Sequence, residues 1–202
     1  MTSVWLATED SLSEAVAERL LTEATPGVEI ALRFGGRGCG YLKTSLPKFI
    51  NMAHRVPGLV LTDLDQTDCP HTLIAAWFKG RPIPEGILFR IAVREVEAWL
   101  MADKDGFAAF SGIPKVKLPQ DVEGVRDPKE HLLGLVRRHA PKNVKMDLLP
   151  LDPSQTARTG MNYNDRLIDF VRRSDGWNPA RAAANADSLR RARERLAALR
   201  VP

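Results

Sequence analysis

Between residues 3 and about 110, short apolar runs alternate with stretches of helical periodicity. That alternation constrains the fold more than any other property of the chain. Ser3-Val-Trp-Leu-Ala7, Val28-Glu-Ile-Ala-Leu-Arg33, Leu59 to Thr62 and Ile87-Leu-Phe-Arg-Ile-Ala-Val93 read as strands. Between and after them, Ala15 to Leu21, Lys43 to His54, Thr72 to Phe78 and Glu95 to Ala102 have helical spacing or strong helix formers, with Ser11 or Ser13 placed to cap the first helix. The pattern predicts an α/β layered domain, residues 1–110, with a mainly parallel central sheet of about four strands. Beyond Gly112 it changes: 111–128 is rich in Pro, Gly and charge and reads as a long loop, and helices are expected at about 128–139, 162–173 and 179–200. Residues 111–202 are expected to form a loop and helical C-terminal region packed on the core.

Functional groups in such sheets gather at the carboxyl ends of strands. There Leu59-Val-Leu-Thr-Asp-Leu-Asp65 ends in two aspartates one residue apart, which strand alternation would place on one face. Two carboxylates held together resist ionisation unless a cation sits between them, and Mg²⁺ is bound by one or two carboxylates plus water and substrate phosphate. Glu9 follows the first strand and Glu95 the fourth, so four acids from three strand ends can face one crevice. Glu9 and Asp10 would equally suit the positive end of the helix that follows them.

Charge is distributed unevenly. Residues 1–110 carry 11 Lys and Arg against 14 Asp and Glu, whereas 111–202 carry 18 against 11. An acidic half beside a basic half suits a metal site facing a polyanion. The last helix adds Arg190, Arg191, Arg193, Arg195 and Arg200 beside an apolar seam of Leu189, Leu196 and Leu199. Two cysteines give no disulfide framework, and with no apolar run long enough for a membrane span and no leader pattern the expected location is cytoplasmic.

Other motifs mostly exclude. Gly35-Gly-Arg-Gly-Cys-Gly-Tyr-Leu-Lys43 is a flexible loop that can approach phosphates, with Arg37 and Lys43 as nucleic-acid contacts. It is no Walker A, because Tyr41-Leu42 stands where Lys-Ser/Thr is required, and no dinucleotide fingerprint. Cys69-Pro-His71 lacks a second ligand pair for zinc, and no histidine has an evident nucleophile partner.

Three strings, Val4-Trp-Leu-Ala-Thr-Glu-Asp-Ser-Leu-Ser-Glu14, Leu59 to Asp65, and Ala92-Val-Arg-Glu-Val-Glu-Ala-Trp-Leu-Met-Ala-Asp103, occur in this order. Together they resemble the TOPRIM fold, and more narrowly a bacterial family of TOPRIM-like proteins related to the OLD-type nucleases of phage defence. The resemblance extends to Ser188-Leu-Arg-Arg-Ala192. It implies that Glu9 is a general base or metal ligand and that Asp63 and Asp65 hold Mg²⁺ or Mn²⁺. Asp10, Glu14, Glu95, Glu97 and Asp103 are the supporting acids. OLD-type proteins place the second glutamate of the first motif four residues after the first, whereas Glu14 lies five after Glu9. Aligning from Glu14 puts Asp10 at the catalytic place; Glu9, nearer the strand, is preferred. On a helix Glu95, Trp99 and Asp103 would share one stripe, with Glu97 elsewhere and Trp99 in the core.

The expected activity is metal-dependent hydrolysis of DNA or RNA, in phage defence or DNA repair. The alternative is a non-catalytic TOPRIM-like module docking on an ABC- or SMC-like ATPase supplied in trans. A homo-oligomer is compatible with either, and no membrane partner is expected. A primase or topoisomerase role has less support, since no zinc ribbon or recognisable tyrosine motif accompanies Tyr41 and Tyr163.

Overall fold

The computed structural model describes residues 3–151 and 157–199. Four parallel strands, β1 (Ser3–Thr8), β2 (Glu29–Phe34), β3 (Gly58–Asp63) and β4 (Ile87–Ala92), form one sheet in the order β2-β1-β3-β4. Helix α1 (Ser11–Ala24) joins β1 to β2, α2 (Gly38–Ala53) joins β2 to β3, and α3 (Pro70–Phe78) joins β3 to β4. The chain leaves β1 toward one edge and returns past it to reach β3, so the winding reverses between β1 and β3. A crevice opens outside the carboxyl ends of strands at such a reversal.

Alternation along each strand divides the interior in two. Val4, Leu6, Leu59, Leu61 and Ala92 face a core shared with α1 and the helices after β4. Trp5, Ala7, Val60, Phe89 and Ile91 face a second core capped by α2 and α3. β1 and β3 are apolar on both faces because each face is covered, as expected of central parallel strands. One close approach fixes their spacing: Trp5 pairs with Gly58, and a Cβ on Gly58 would lie 2.0 Å from the indole ring. The indole is anchored by its Nε1–H, which donates to Val56 O at 2.8 Å.

After β4 come α4 (Val96–Ala102), α5 (Lys104–Ser111), α6 (Pro128–His139), α7 (Lys142–Leu148), α8 (Tyr163–Arg172), α9 (Pro179–Ala183) and α10 (Asp187–Ala197). α4 is buried on every side, so its run Val-Glu-Ala-Trp-Leu-Met-Ala carries no polar face except through Glu97. α8, α9 and α10 bury their apolar faces in the same core as α1 and α4. Ser188, at the start of α10, ties three segments together: its Oγ accepts from Trp99 Nε1 at 2.8 Å and from Val93 N at 3.3 Å, and its N–H donates to Glu123.

Several sequence expectations shift. α2 begins at Gly38, so most of the Gly35–Lys43 segment is helix and not loop. Gly38 and Gly40 lower its propensity, but Leu42, Leu46 and Phe49 pack beneath the sheet and carry the helix. The helix expected over 179–200 is broken after Ala183 and resumes at Asp187, and Arg200 lies outside the described residues. α5 and α7, short and without long apolar periodicity, were not anticipated. Among the described residues no helix is long and apolar enough to cross a membrane.

Candidate metal centre at the strand ends

β1 ends one residue before Glu9, and α1 starts two residues after it. Asp10 caps α1, its Oδ1 accepting from Ser13 N at 2.8 Å. That role holds Asp10 at the helix mouth and leaves Glu9 to reach across the winding reversal. Glu9 Oε1 accepts from Asp63 N at 2.9 Å and from the Thr62 hydroxyl. Asp63 is the last residue of β3, and its Oδ1 accepts from Val96 N at 3.1 Å, where α4 begins. The carboxylates that follow β1 and end β3 therefore stand at adjacent strand tips, with the start of α4 donating an amide to Asp63.

Asp65 does not continue the strand. It has a φ of +49°, in the left-handed region, and lies in the turn beyond β3, so strand alternation does not govern its direction. The turn is held by Arg94: its guanidinium donates to Asp65 O at 3.1 Å and Thr67 O at 2.8 Å, while Arg94 O accepts from Leu64 N and Asp65 N. Gln66 bonds with Arg126 from the loop before α6.

α4 brings two further acids. Glu95 is its N-cap residue, and Glu95 Oε2 accepts from Lys129 N at 2.8 Å in the first turn of α6. Glu97 is 4% exposed and its Oε1 accepts from the Tyr163 hydroxyl at 2.9 Å. Lys129 sits 5.0 Å above the Tyr163 ring, so its charge offsets that of Glu97. Asp127, the N-cap of α6, lies near enough for its charge to act on Asp65 and Glu95.

The charge of this crevice is poorly compensated. Burial pushes the Asp63 carboxyl well above its ordinary value, and the negative charges of Glu97, Glu9, Asp10 and Asp65 add to the effect. Glu9 is raised by burial and by Asp65 and Asp10, against the lowering pull of its bonds to Thr62 and Asp63. Asp65 is raised by burial and by Asp127. Glu95 is pushed up to about 7, first by burial and then by Glu97. Such a set accepts a cation or holds protons.

Two of the sequence-derived candidates lie apart from this set. Asp103 is fully buried at the far end of α4, where Arg181 pairs with it through two bonds of 2.8 and 2.9 Å and Asn178 N donates at 2.8 Å. α4 stops at Ala102, so Asp103 does not share a helical stripe with Glu95, and it is Glu97 whose charge reaches Asp63. Glu14 faces β2, 3.5 Å from Arg33. Arg37 packs on the Tyr41 ring, and Lys43 stands near enough to Cys39 to influence its thiol.

Sequence reasoning missed Thr62, Cys39, Asp127, Lys129 and Tyr163. The Cys39 thiol is raised by burial and by Glu9 and Asp65, which places it at the same rim. Asp127-Pro128 was a readable signal, being a good N-cap followed by Pro at the first helical position. Tyr163 follows a segment without local pattern and carried none.

The donor set fits a hard divalent ion in kind: it is all oxygen, it carries excess negative charge, and Glu9 Oε2 has no partner among the described residues. Among the described residues no three His, Cys, Asp or Glu side chains stand close enough to enclose one ion. Mg²⁺ does not require that, since it commonly keeps several waters and takes one or two carboxylates. No family model, curated protein or solved structure matches the chain.

Proposed function

We propose that the chain is a Mg²⁺- or Mn²⁺-dependent phosphodiesterase of TOPRIM type acting on DNA or RNA. The observation that carries this reading is the reach of Glu9 from β1 to the tip of β3, where Asp63 and Asp65 add uncompensated negative charge. A bound divalent ion would offset charge developing on a scissile phosphate and acidify a water molecule. Asp63 and Asp65 are the residues to hold it. Glu9 has Oε1 fixed by Thr62 and Asp63 N, which orients the carboxylate and leaves Oε2 to accept a proton from the attacking water. Its raised pKa makes it a better base than a solvated glutamate. Arg94 positions the Asp65 turn without touching the carboxylates.

The test is cleavage of supercoiled plasmid and of RNA with Mg²⁺ or Mn²⁺, comparing the wild type with Asp63→Ala/Asp65→Ala. Metal-dependent cleavage lost in the double variant supports the proposal; equal cleavage by both proteins rejects it.

One observation favours a second reading, a non-catalytic interaction module. Glu9 and Asp63 already accept hydrogen bonds that tie β1, β3 and α4 together, as structural carboxylates do. Co-purification with an ATPase and no cleavage under any metal condition would select that reading. Defence or repair as the setting, and an ATPase partner in trans, rest on the resemblance alone.

A further inference from the structure

β4 forms one edge of the sheet, and outside it lies a cleft of about 260 Å³ between the start of α3 and the start of α10. His71, Arg90 and Arg191 bring positive or protonatable groups to it, and Asp187 and Glu123 bring negative ones. The acids are engaged: Asp187 pairs with Arg190 and Arg191, and Glu123 accepts from the Ser188 amide and hydroxyl. Arg90 is not. Its side chain makes no ion pair or hydrogen bond among the described residues, and its Nε is buried without a partner. Arg195, one turn beyond Arg191 on α10, also has no ion pair among the described residues, yet lies close enough for its charge to oppose that of Arg90.

A half-buried guanidinium in a cleft wall with no acid of its own is an unfavourable arrangement that a counter-anion corrects. The planar fork of arginine suits a tetrahedral oxyanion, and two cations suit a dianion. The α10 N-terminus does not supply the attraction, because Glu123 already occupies the Ser188 amide.

The position adds meaning. Arg90 pairs with Leu61, and Asp63 pairs with Ala92 two residues further along, so Arg90 and Asp63 are diagonal neighbours. Strand geometry puts their Cα atoms roughly 8 Å apart. Asp63 continues the alternation of Leu59 and Leu61, and Arg90 that of Ala92, so both belong to the same face of the sheet.

We propose that this cleft is a phosphate-binding subsite in which Arg90 grips one phosphate group near the strand-end carboxylates, with Arg195, outside the cleft wall, adding positive charge. The phosphate belongs either to a nucleic-acid backbone or to a free phosphate or nucleotide. The subsite is independent of hydrolysis, because binding is measurable in EDTA whether or not the crevice cleaves anything.

The experiment measures thermal unfolding in phosphate against chloride at matched ionic strength, and anisotropy of a labelled single-stranded oligonucleotide, both in EDTA. The proteins are the wild type, Arg90→Met, Arg195→Gln, and Arg173→Gln as a control that removes an exposed, paired arginine. Phosphate is expected to raise the Tm of wild type and control, and about tenfold more phosphate is expected to be needed in the Arg90 and Arg195 variants. If the source is nucleic acid, oligonucleotide affinity also falls in both variants and the log–log salt slope drops by about 0.7 for each arginine removed. If the source is free phosphate, oligonucleotide binding is unchanged while the Tm response is lost. In chloride Arg90→Met should unfold at the same temperature as wild type or higher, since it removes an unpartnered charge. No phosphate or oligonucleotide response in wild type, or a response in Arg90→Met equal to wild type, overturns the proposal.

Discussion

Glu9 directly follows β1 and Asp63 ends the adjacent parallel strand β3, and the amide of Asp63 donates to the carboxylate of Glu9 at 2.9 Å. One bond thus joins the two tips where the winding reverses, and a change at either residue acts on both position and charge.

Glu9→Gln keeps the size of the side chain and its contact with Asp63 N but removes the proposed base. Cleavage with Mn²⁺ is expected to fall by about 10²-fold or more, with little change in Tm. Single-turnover rates on a labelled duplex check this. A variant that keeps full rate would remove Glu9 from the chemistry.

Stability without divalent ion should fall as pH rises. Glu95 is held near 7 in the fold against an ordinary value of 4.5, so the folded state retains a proton that the unfolded chain has released. For a carboxyl raised on folding, stability is lost with rising pH across the window from about 4.5 to about 7. Asp63 and Glu9, also raised, act in the same direction. Tm is expected to decline from about pH 5 to about pH 8 in EDTA, to decline less in Glu95→Gln, and to recover in Mg²⁺ or Mn²⁺. A Tm that holds level over that range in EDTA would contradict the charge balance described for the crevice.

Asp103→Ala is expected to cost about 2–3 kcal/mol, because it removes the cap of α5 and leaves the Asn178 amide and Arg181 without their acceptor. Arg181 is half exposed and can turn to water when Asp103 is lost, whereas Arg181→Ala leaves the fully buried Asp103 without its counter-ion and should cost at least as much. Urea unfolding of both variants reads the difference. Cleavage per folded molecule should be unaffected, since Asp103 stands at the opposite end of α4 from Glu95.

Gly58→Ala should cost about 3 kcal/mol or more. The added methyl meets the Trp5 ring at 2.0 Å, and the indole is held by its bond to Val56. A Trp5→Phe background should reduce the penalty, and a double-mutant cycle by urea denaturation measures that coupling. A cost below about 1 kcal/mol would mean that the two strands separate more easily than their packing implies.

The sheet was legible because β1, β3 and β4 are apolar runs of strand length, and their observed ends fall within one or two residues of the sequence reading. β2 was legible by alternation although most of it is exposed. The glycine-rich start of α2 was misread because propensity there opposes the outcome, and burial of Leu42 and Phe49 decides it. At the centre, the acids were visible as strand-end carboxylates, but their roles were not. That Glu97 and not Asp103 reaches Asp63 depends on α4 stopping at Ala102, which local sequence does not mark. Lys129 and Tyr163 come from helices far along the chain, and their arrival at α4 follows from tertiary packing alone.

The encasement of α4 makes the acids mounted on it passengers of the interior. Substitutions along that helix alter volume before they alter chemistry, so the aliphatic and tryptophan positions should tolerate variation less than Glu95. A loss of folding after changes at those buried positions would therefore carry no information about the chemistry at the strand ends.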